Sequence, residues 1–204
     1  MLKQWTAIEK KIFDLAKPYL LVMNNELHTK EVVRFCLELL ETEGGDRHIV
    51  IPAAILHDIG WSQLPEKQSI MMRIMKGDPE KIKIHEEIGA RLAEGILSRV
   101  FYDKTQLDEV VAIIDGHDTR NHAVSLNDKI VKDADKLSRY SRKFCHIWPR
   151  WGTGAAPHHH FSEMEKGVKA WFFLGASKKI AEKEFYERVL EIQIQNCRVP
   201  AIAN

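Results

Sequence analysis

The run Ile49-Val50-Ile51-Pro52-Ala53-Ala54-Ile55-Leu56, followed at once by His57-Asp58-Ile59-Gly60, decides how the rest of the chain is read. Asp46 offers an N-cap carboxylate for a helix reaching Asp58, Pro52 is tolerated only near its first turns, and Gly60 closes it. The apolar stretch is far too short to span a bilayer. It ends instead in a polar pair, His57 and Asp58. Charged side chains in such surroundings are costly unless they are paired or bound to a metal.

Helical spacing extends outward on both sides. Trp5, Ile8, Ile12, Phe13 and Leu15 recur every three or four residues and stop near Pro18. From His28 to Glu43 the residues Val32, Val33, Phe35, Cys36, Leu39 and Leu40 form an apolar face that Gly44-Gly45 ends. Downstream, Gln68 to Lys76 is read as a short helix and Gly77-Asp78-Pro79 as a breaker, with Asp78 capping a helix that carries Ile84, Ile88, Leu92 and Ile96. Leu107, Val110, Val111, Ile114 and His117 mark a further stripe, and Asn127 or Asp128 caps a helix running past Leu137 to about Ile147. A loop from Trp148 to His160 precedes two closing helices near 163–174 and 178–195. No alternating strand pattern of useful length and no internal repeat is present. The expectation is an all-α, single-domain helical bundle over residues 1–204.

Composition agrees with a soluble globule. The 204 residues carry 30 Lys plus Arg against 29 Asp plus Glu, a formal charge of +1, which argues against a polymeric nucleic-acid partner. No segment suits a membrane span, and the N-terminus lacks the apolar core of a signal peptide, so the expected location is the cytoplasm. Cys36, Cys145 and Cys197 are too widely spaced for a zinc knuckle and read as reduced thiols. Ten histidines, about twice the usual complement, stand out.

Several of these histidines fall where a helical protein places apolar residues. His28 opens one helix, His57-Asp58 ends another, His85 lies beside the Ile84/Ile88 stripe, His117 extends the Ile114 stripe, and Asp133 and Asp135 sit among Ile130, Val131, Ala134 and Leu137. Mixed imidazole and carboxylate donors suit a six-coordinate divalent ion (Mn, Fe, Ni, Co or Mg) better than a closed zinc site. A helical wheel puts Asp133 nearer the apolar stripe than Asp135.

The order His28, His57-Asp58, Asp135 resembles the signature of the HD superfamily of metal-dependent phosphohydrolases. "AAILHDIG" (53–60) and "KIVKDADKL" (129–137) resemble its two defining elements, and "HEEIGA" (85–90) and "IIDGHD" (113–118) resemble additional histidine elements of many members. The likeness spans about residues 20–140, with C-terminal helices near 160–197 packing on that core.

The resemblance implies that His28, His57, Asp58 and Asp135 hold one metal, Asp135 being favoured because the ligand precedes Lys/Arg-Leu. It implies that His85 and His117, with Asp118 as a further candidate, serve a second ion or the phosphate, Asp58 bridging. One ion is expected and two are possible, with Asp58, His85 and His117 as catalytic candidates. The implied reaction is attack of a metal-activated water on a nucleotide or another small phosphate ester or anhydride. Two alternatives remain open: a mixed-valent di-iron oxygenase with the same six ligands, and a catalytically silent nucleotide-binding module. A homodimer is possible.

The pattern departs from several hydrolase branches, which place Lys or Glu shortly after the HD pair, where Gly60 and Trp61 stand here. Lys67, Arg73 and Arg139 are candidate phosphate contacts. Lys136, Arg139, Arg142 and Lys143 form a candidate anion-attracting rim. Solvated surface charge is the preferred reading of these basic residues and of Lys76. His158-His159-His160 is read as loop, the aromatics Trp148, Trp151, Phe161, Trp171, Phe172 and Phe173 as packing, and Met71, Met72 and Met75 as core filler.

Overall fold

The computed structural model describes residues 4–22, 24–65, 79–100, 102–145 and 157–198, and no strand occurs among them. The helices are α1 (Ala7–Ala16), α2 (Asn25–Glu43), α3 (Arg47–Leu56), α4 (Pro79–Ser98), α5 (Lys104–Ile114), α6 (Leu126–Ser138), α7 (Arg142–Cys145), α8 (Pro157–Ala170) and α9 (Gly175–Arg198). The all-α expectation holds. No helix among the described residues is long and apolar enough to cross a membrane.

Helix α3 is the axis of the bundle because it is apolar all round. Every residue from Ile49 to Leu56 is buried, and a helix with no polar face belongs in the interior. α1, α2, α5 and α6 pack around it. Pro52 lies inside this helix and brings no N–H for the His48 carbonyl. The Tyr102 hydroxyl donates to that carbonyl instead. Asp46 caps the helix as expected, accepting from the His48 N–H at 2.8 Å. α3 nevertheless stops at Leu56, and Gly60 lies in a following 3₁₀ turn, Ile59–Gln63, rather than closing it.

Other boundaries also differ from the sequence reading. Ser125, not Asn127 or Asp128, caps α6 by accepting from the Asp128 N–H. That helix ends at Ser138 rather than Ile147, because i→i+3 bonds from Arg139, Tyr140 and Ser141 tighten its last turn. α5 ends at Ile114, which leaves His117 in a turn and not on the stripe. α8 begins at Pro157, the residue type pre-organised for a first helical position, so His158-His159-His160 lie in a helix and not a loop. It ends at Ala170, where the N–H groups of Phe173 and Leu174 turn to the Asp133 carboxylate at 3.0 and 2.9 Å. Those bonds, with Lys136 Nζ on the Trp171 carbonyl at 2.9 Å and Tyr140 Oη on the Met164 carbonyl at 2.8 Å, dock the C-terminal helices on α6. The short helix expected at 68–76, the Asp78 cap, Lys67, Arg73, Lys76, Met71, Met72, Met75, Trp148 and Trp151 lie outside the described residues.

Glu9 joins α1 to α3. It completes a capping box with Thr6 and receives two bonds from the Arg47 guanidinium, at 2.7 and 2.9 Å. Burial pushes its carboxyl up, but Arg47 and the Thr6 N–H outweigh burial and hold it below the ordinary value of 4.5. A depressed carboxyl contributes stability that is fully present above the ordinary value and is lost as pH falls through the folded one. Glu9→Gln is therefore expected to lower the melting temperature at neutral pH, with the gap to wild type closing as pH drops below 4.5. Thermal melts across pH 3–8 check this, and a pH-independent gap contradicts it.

Candidate metal centre

Two histidines reach the centre of the molecule by the same local device. A helix leaves its last carbonyls without intrahelical partners. Just past the end of α3, His57 Nδ1 donates to the Ala54 carbonyl at 2.9 Å; just past α5, His117 Nδ1 donates to the Ile114 carbonyl at 2.9 Å. Each bond fixes the ring and turns Nε2 inward, where a neutral ring presents a lone pair. His28, on the inner face of α2, is oriented by Ser138 of α6. The Ser138 hydroxyl donates to the Asp135 carbonyl at 2.6 Å and so accepts from His28 Nδ1 at 3.2 Å. Its Nε2 is likewise a lone pair.

These donors meet around Asp58. On one side His28 Nε2 lies 3.1 Å from His57 Nε2, 3.1 Å from Asp135 Oδ1 and 3.4 Å from Asp58 Oδ2. On the other, His85 and His117 Nε2 are 3.4 Å apart, each within 3.6 Å of Asp118 Oδ2, and 3.9 and 3.6 Å from Asp58 Oδ1. Asp58 thus divides its two oxygens between two triads. The residues His28, His57, Asp58, His85, His117 and Asp135 are all brought together, and Asp118 joins them. All but Asp135 and Asp118 are buried, and Asp118 is the exposed member through which the second triad opens to solvent.

The donor set fits a divalent cation. Neighbouring ligands of a six-coordinate ion held at about 2.1 Å stand about 3 Å apart, close to the 3.1 Å from His28 Nε2 to both His57 Nε2 and Asp135 Oδ1. Two imidazole lone pairs facing each other at 3.1 Å repel unless a positive charge sits between them. The pocket favours such a charge: burial works against a proton on His117, but Asp118, Asp58 and Glu86 outweigh it and push its pKa up to about 10. Burial and the neighbouring His117 push His85 the other way, down to about 4. Asp135 is held well below the ordinary carboxylate range, since His28, Arg139 and His57 overcome its burial.

The two aspartates of α6 have separate tasks. Asp135 faces His28, whereas Asp133 is fully buried on the opposite side, where burial raises its carboxyl pKa and the Phe173 and Leu174 N–H groups anchor it. The helix is buried on both faces, which is why the wheel alone favoured Asp133.

Three positioning contacts escaped the sequence reading. Glu86, fully buried beside His85, accepts from the Asp118 N–H at 2.7 Å and from the Thr119 N–H and hydroxyl at 2.9 and 2.5 Å, clamping the turn that carries His117 and Asp118. Trp61 donates Nε1 to Asp58 Oδ1 at 2.9 Å. Gly60 lets α4 close on the His57-Asp58 turn, because a Cβ there would lie 2.0 Å from the His85 carbonyl oxygen and 2.7 Å from the Gly89 nitrogen. Gly60→Ala must push the backbone of His85 away. It is expected to destabilise by about 3 kcal/mol, at the upper end of ordinary overpacking, and to weaken cation binding at the second triad. Denaturant melts and Mn²⁺ titration check both, and a variant within about 0.5 kcal/mol of wild type would contradict this reading.

The basic segment is mostly neutralised by contacts of its own. Lys143 pairs with Glu31 at 2.9 Å, Arg142 with Glu191 at 3.2 Å, and Lys136 is committed to the Trp171 carbonyl. Arg139 borders the metal centre, 3.8 Å from Asp135 Oδ2 and beside the Trp171 ring. Trp171 and Phe172 pack against Tyr140, and Phe161 against Phe185, in keeping with a packing role for the described aromatics.

The family model of the HD domain matches residues 26–140, more than half of the chain. A solved structure of a predicted HD superfamily hydrolase from an uncultured Thermotogales bacterium aligns with a TM-score of 0.62 at 24% sequence identity, covering 92% of this chain and 91% of that one. That likeness shows a shared fold. No curated protein matches the chain in sequence.

Proposed function

This chain belongs to the HD domain family, and from that premise we propose that it is a metal-dependent phosphohydrolase acting on a nucleotide or another small phosphate ester or anhydride. The observation that carries the reading is the division of Asp58 between two His/Asp triads. His28, His57, Asp58 and Asp135 would hold one cation, and His85, His117 and Asp118, with the second oxygen of Asp58, another. A divalent cation held there supplies Lewis-acid stabilisation of charge on a phosphoryl oxygen and lowers the pKa of a water toward neutrality.

The chain's own residues do the rest. The carbonyl and hydroxyl partners of His57, His117 and His28 hold the three Nε2 atoms in register. Asp118 sits at the solvent-facing edge where a substrate enters. Arg139, partly exposed beside Asp135, is the guanidinium placed to meet a phosphate oxygen. The near-neutral charge balance favours a small substrate over a polymer. The structural likeness to a predicted HD superfamily hydrolase supports hydrolysis.

One observation also favours a second reading: His28, His57, Asp58, His85, His117 and Asp135, the six ligands implied by the resemblance to di-iron oxygenases, lie together at one centre. Elemental analysis of protein purified without added metal, followed by a matrix of Mn, Co, Ni, Mg and Fe against nucleotides and small phosphate esters, separates the two. The proposal expects phosphate or nucleoside release. Two irons per chain with oxygen consumption would replace it with the oxygenase, and nucleotide binding without turnover would replace it with a regulatory module.

A further inference from the structure

Trp61, in the turn that follows His57-Asp58, is buried against the second half of the centre. The indole Nε1 donates to Asp58 Oδ1 at 2.9 Å, and Oδ1 is the carboxylate oxygen that faces His85 and His117. The same indole lies flat on the His85 imidazole, with ring centroids 3.9 Å apart and planes 16° from parallel. His57, His117 and His28 are each oriented through Nδ1 by a carbonyl or hydroxyl. His85 Nδ1 is buried and has no hydrogen-bond partner. Its ring is oriented by the stacked indole instead.

Resting on the two-cation reading above, we propose that Trp61 is a positioning residue that decides whether the second triad, His85/His117/Asp118, holds its cation. One face of the ring sets the plane of His85, and the N–H sets the direction of Asp58 Oδ1. The first triad keeps His28, His57 and Asp135, its two rings held at Nδ1 by Ser138 and the Ala54 carbonyl, and on this proposal those supports suffice for it to bind its cation when the indole is changed. The two sites therefore differ in affinity through one side chain.

The test is a Mn²⁺ titration of the full-length protein, following free Mn²⁺ by its electron paramagnetic resonance signal and bound pairs by their spin-coupled signal. Trp61→Phe keeps an aromatic ring on His85 and removes the donor; Trp61→Leu removes both. The expected result is a first Mn²⁺ bound within about threefold of wild type in both variants. The second should weaken roughly tenfold in W61F and roughly a hundredfold in W61L, the range for loss of an outer contact to a ligand, with the coupled signal fading in parallel. Circular dichroism checks folding, and W61F alone carries the test if W61L does not fold. Unchanged second-ion affinity in W61F, or equal weakening of both ions, overturns the positioning role while leaving two-cation binding intact. A wild-type protein that binds one Mn²⁺ or none overturns the two-cation reading and this inference with it.

Discussion

Replacing Asp58 by Asn is expected to leave a folded helical protein that holds both cations weakly and retains less than about a thousandth of wild-type turnover. An outer-shell change typically costs 10–100-fold in affinity or activity, and loss of a shared ligand exceeds that. The substitution keeps the shape of the side chain and an oxygen for the Trp61 N–H. It removes the negative charge that faces His28 and His57 on one side and His85 and His117 on the other. Only one amide oxygen remains, so one triad meets an NH₂ group that cannot ligate a cation. Metal content after dialysis and turnover on a substrate identified in the metal matrix measure the loss, with circular dichroism as the control. Turnover within about tenfold of wild type would remove Asp58 from the centre of the account.

The second large effect is on stability. Lys132 is buried in α6, and its ammonium donates to the carbonyls of Gly116, His117 and Arg120. Burial lowers its pKa, so the three carbonyls are what make a buried ammonium tolerable. They belong to the turn whose N–H groups at 118 and 119 are held by Glu86. A lysine and a glutamate thus grip opposite faces of one peptide segment, which keeps His117 and Asp118 aimed at the second triad. Lys132→Met preserves volume but leaves three acceptors without their donor. The expected loss is about 3–5 kcal/mol, by analogy with breaking a buried charged contact. That corresponds to a melting temperature lower by roughly 10 °C in a chain of this size. Differential scanning calorimetry measures it, and a shift under about 2 °C would mean that the turn is held by other contacts.

The fold was legible because the signals that build it are local. The apolar run Ile49–Leu56 can only be an interior helix or strand, and Asp46 as a cap chose the helix. The helical stripes of α2, α5 and α6 were visible from spacing alone. Boundaries were less legible, since tertiary contacts set them. Asp133 draws the N–H groups of Phe173 and Leu174 away from α8, and nothing in residues 160–175 announces a partner forty positions upstream.

The site residues were conspicuous as polar side chains in apolar surroundings, and the motif resemblance supplied their grouping. Their supports were not conspicuous. Ser138, Glu86 and Trp61 are ordinary residues at ordinary helical or turn positions, and their tasks exist only once α2, α4 and α6 are packed. One hint was available. His57 and His117 each lie three residues past a carbonyl in the last turn of its own helix, and a histidine so placed fixes its tautomer without help from elsewhere.

Anomalous diffraction from crystals soaked in Mn²⁺ tests the central claim most directly. Two anomalous peaks per chain are expected, about 3.5–4 Å apart, one against each oxygen of Asp58. Peaks that avoid Asp58, or an empty map with the rings of His28 and His57 turned apart, would contradict it.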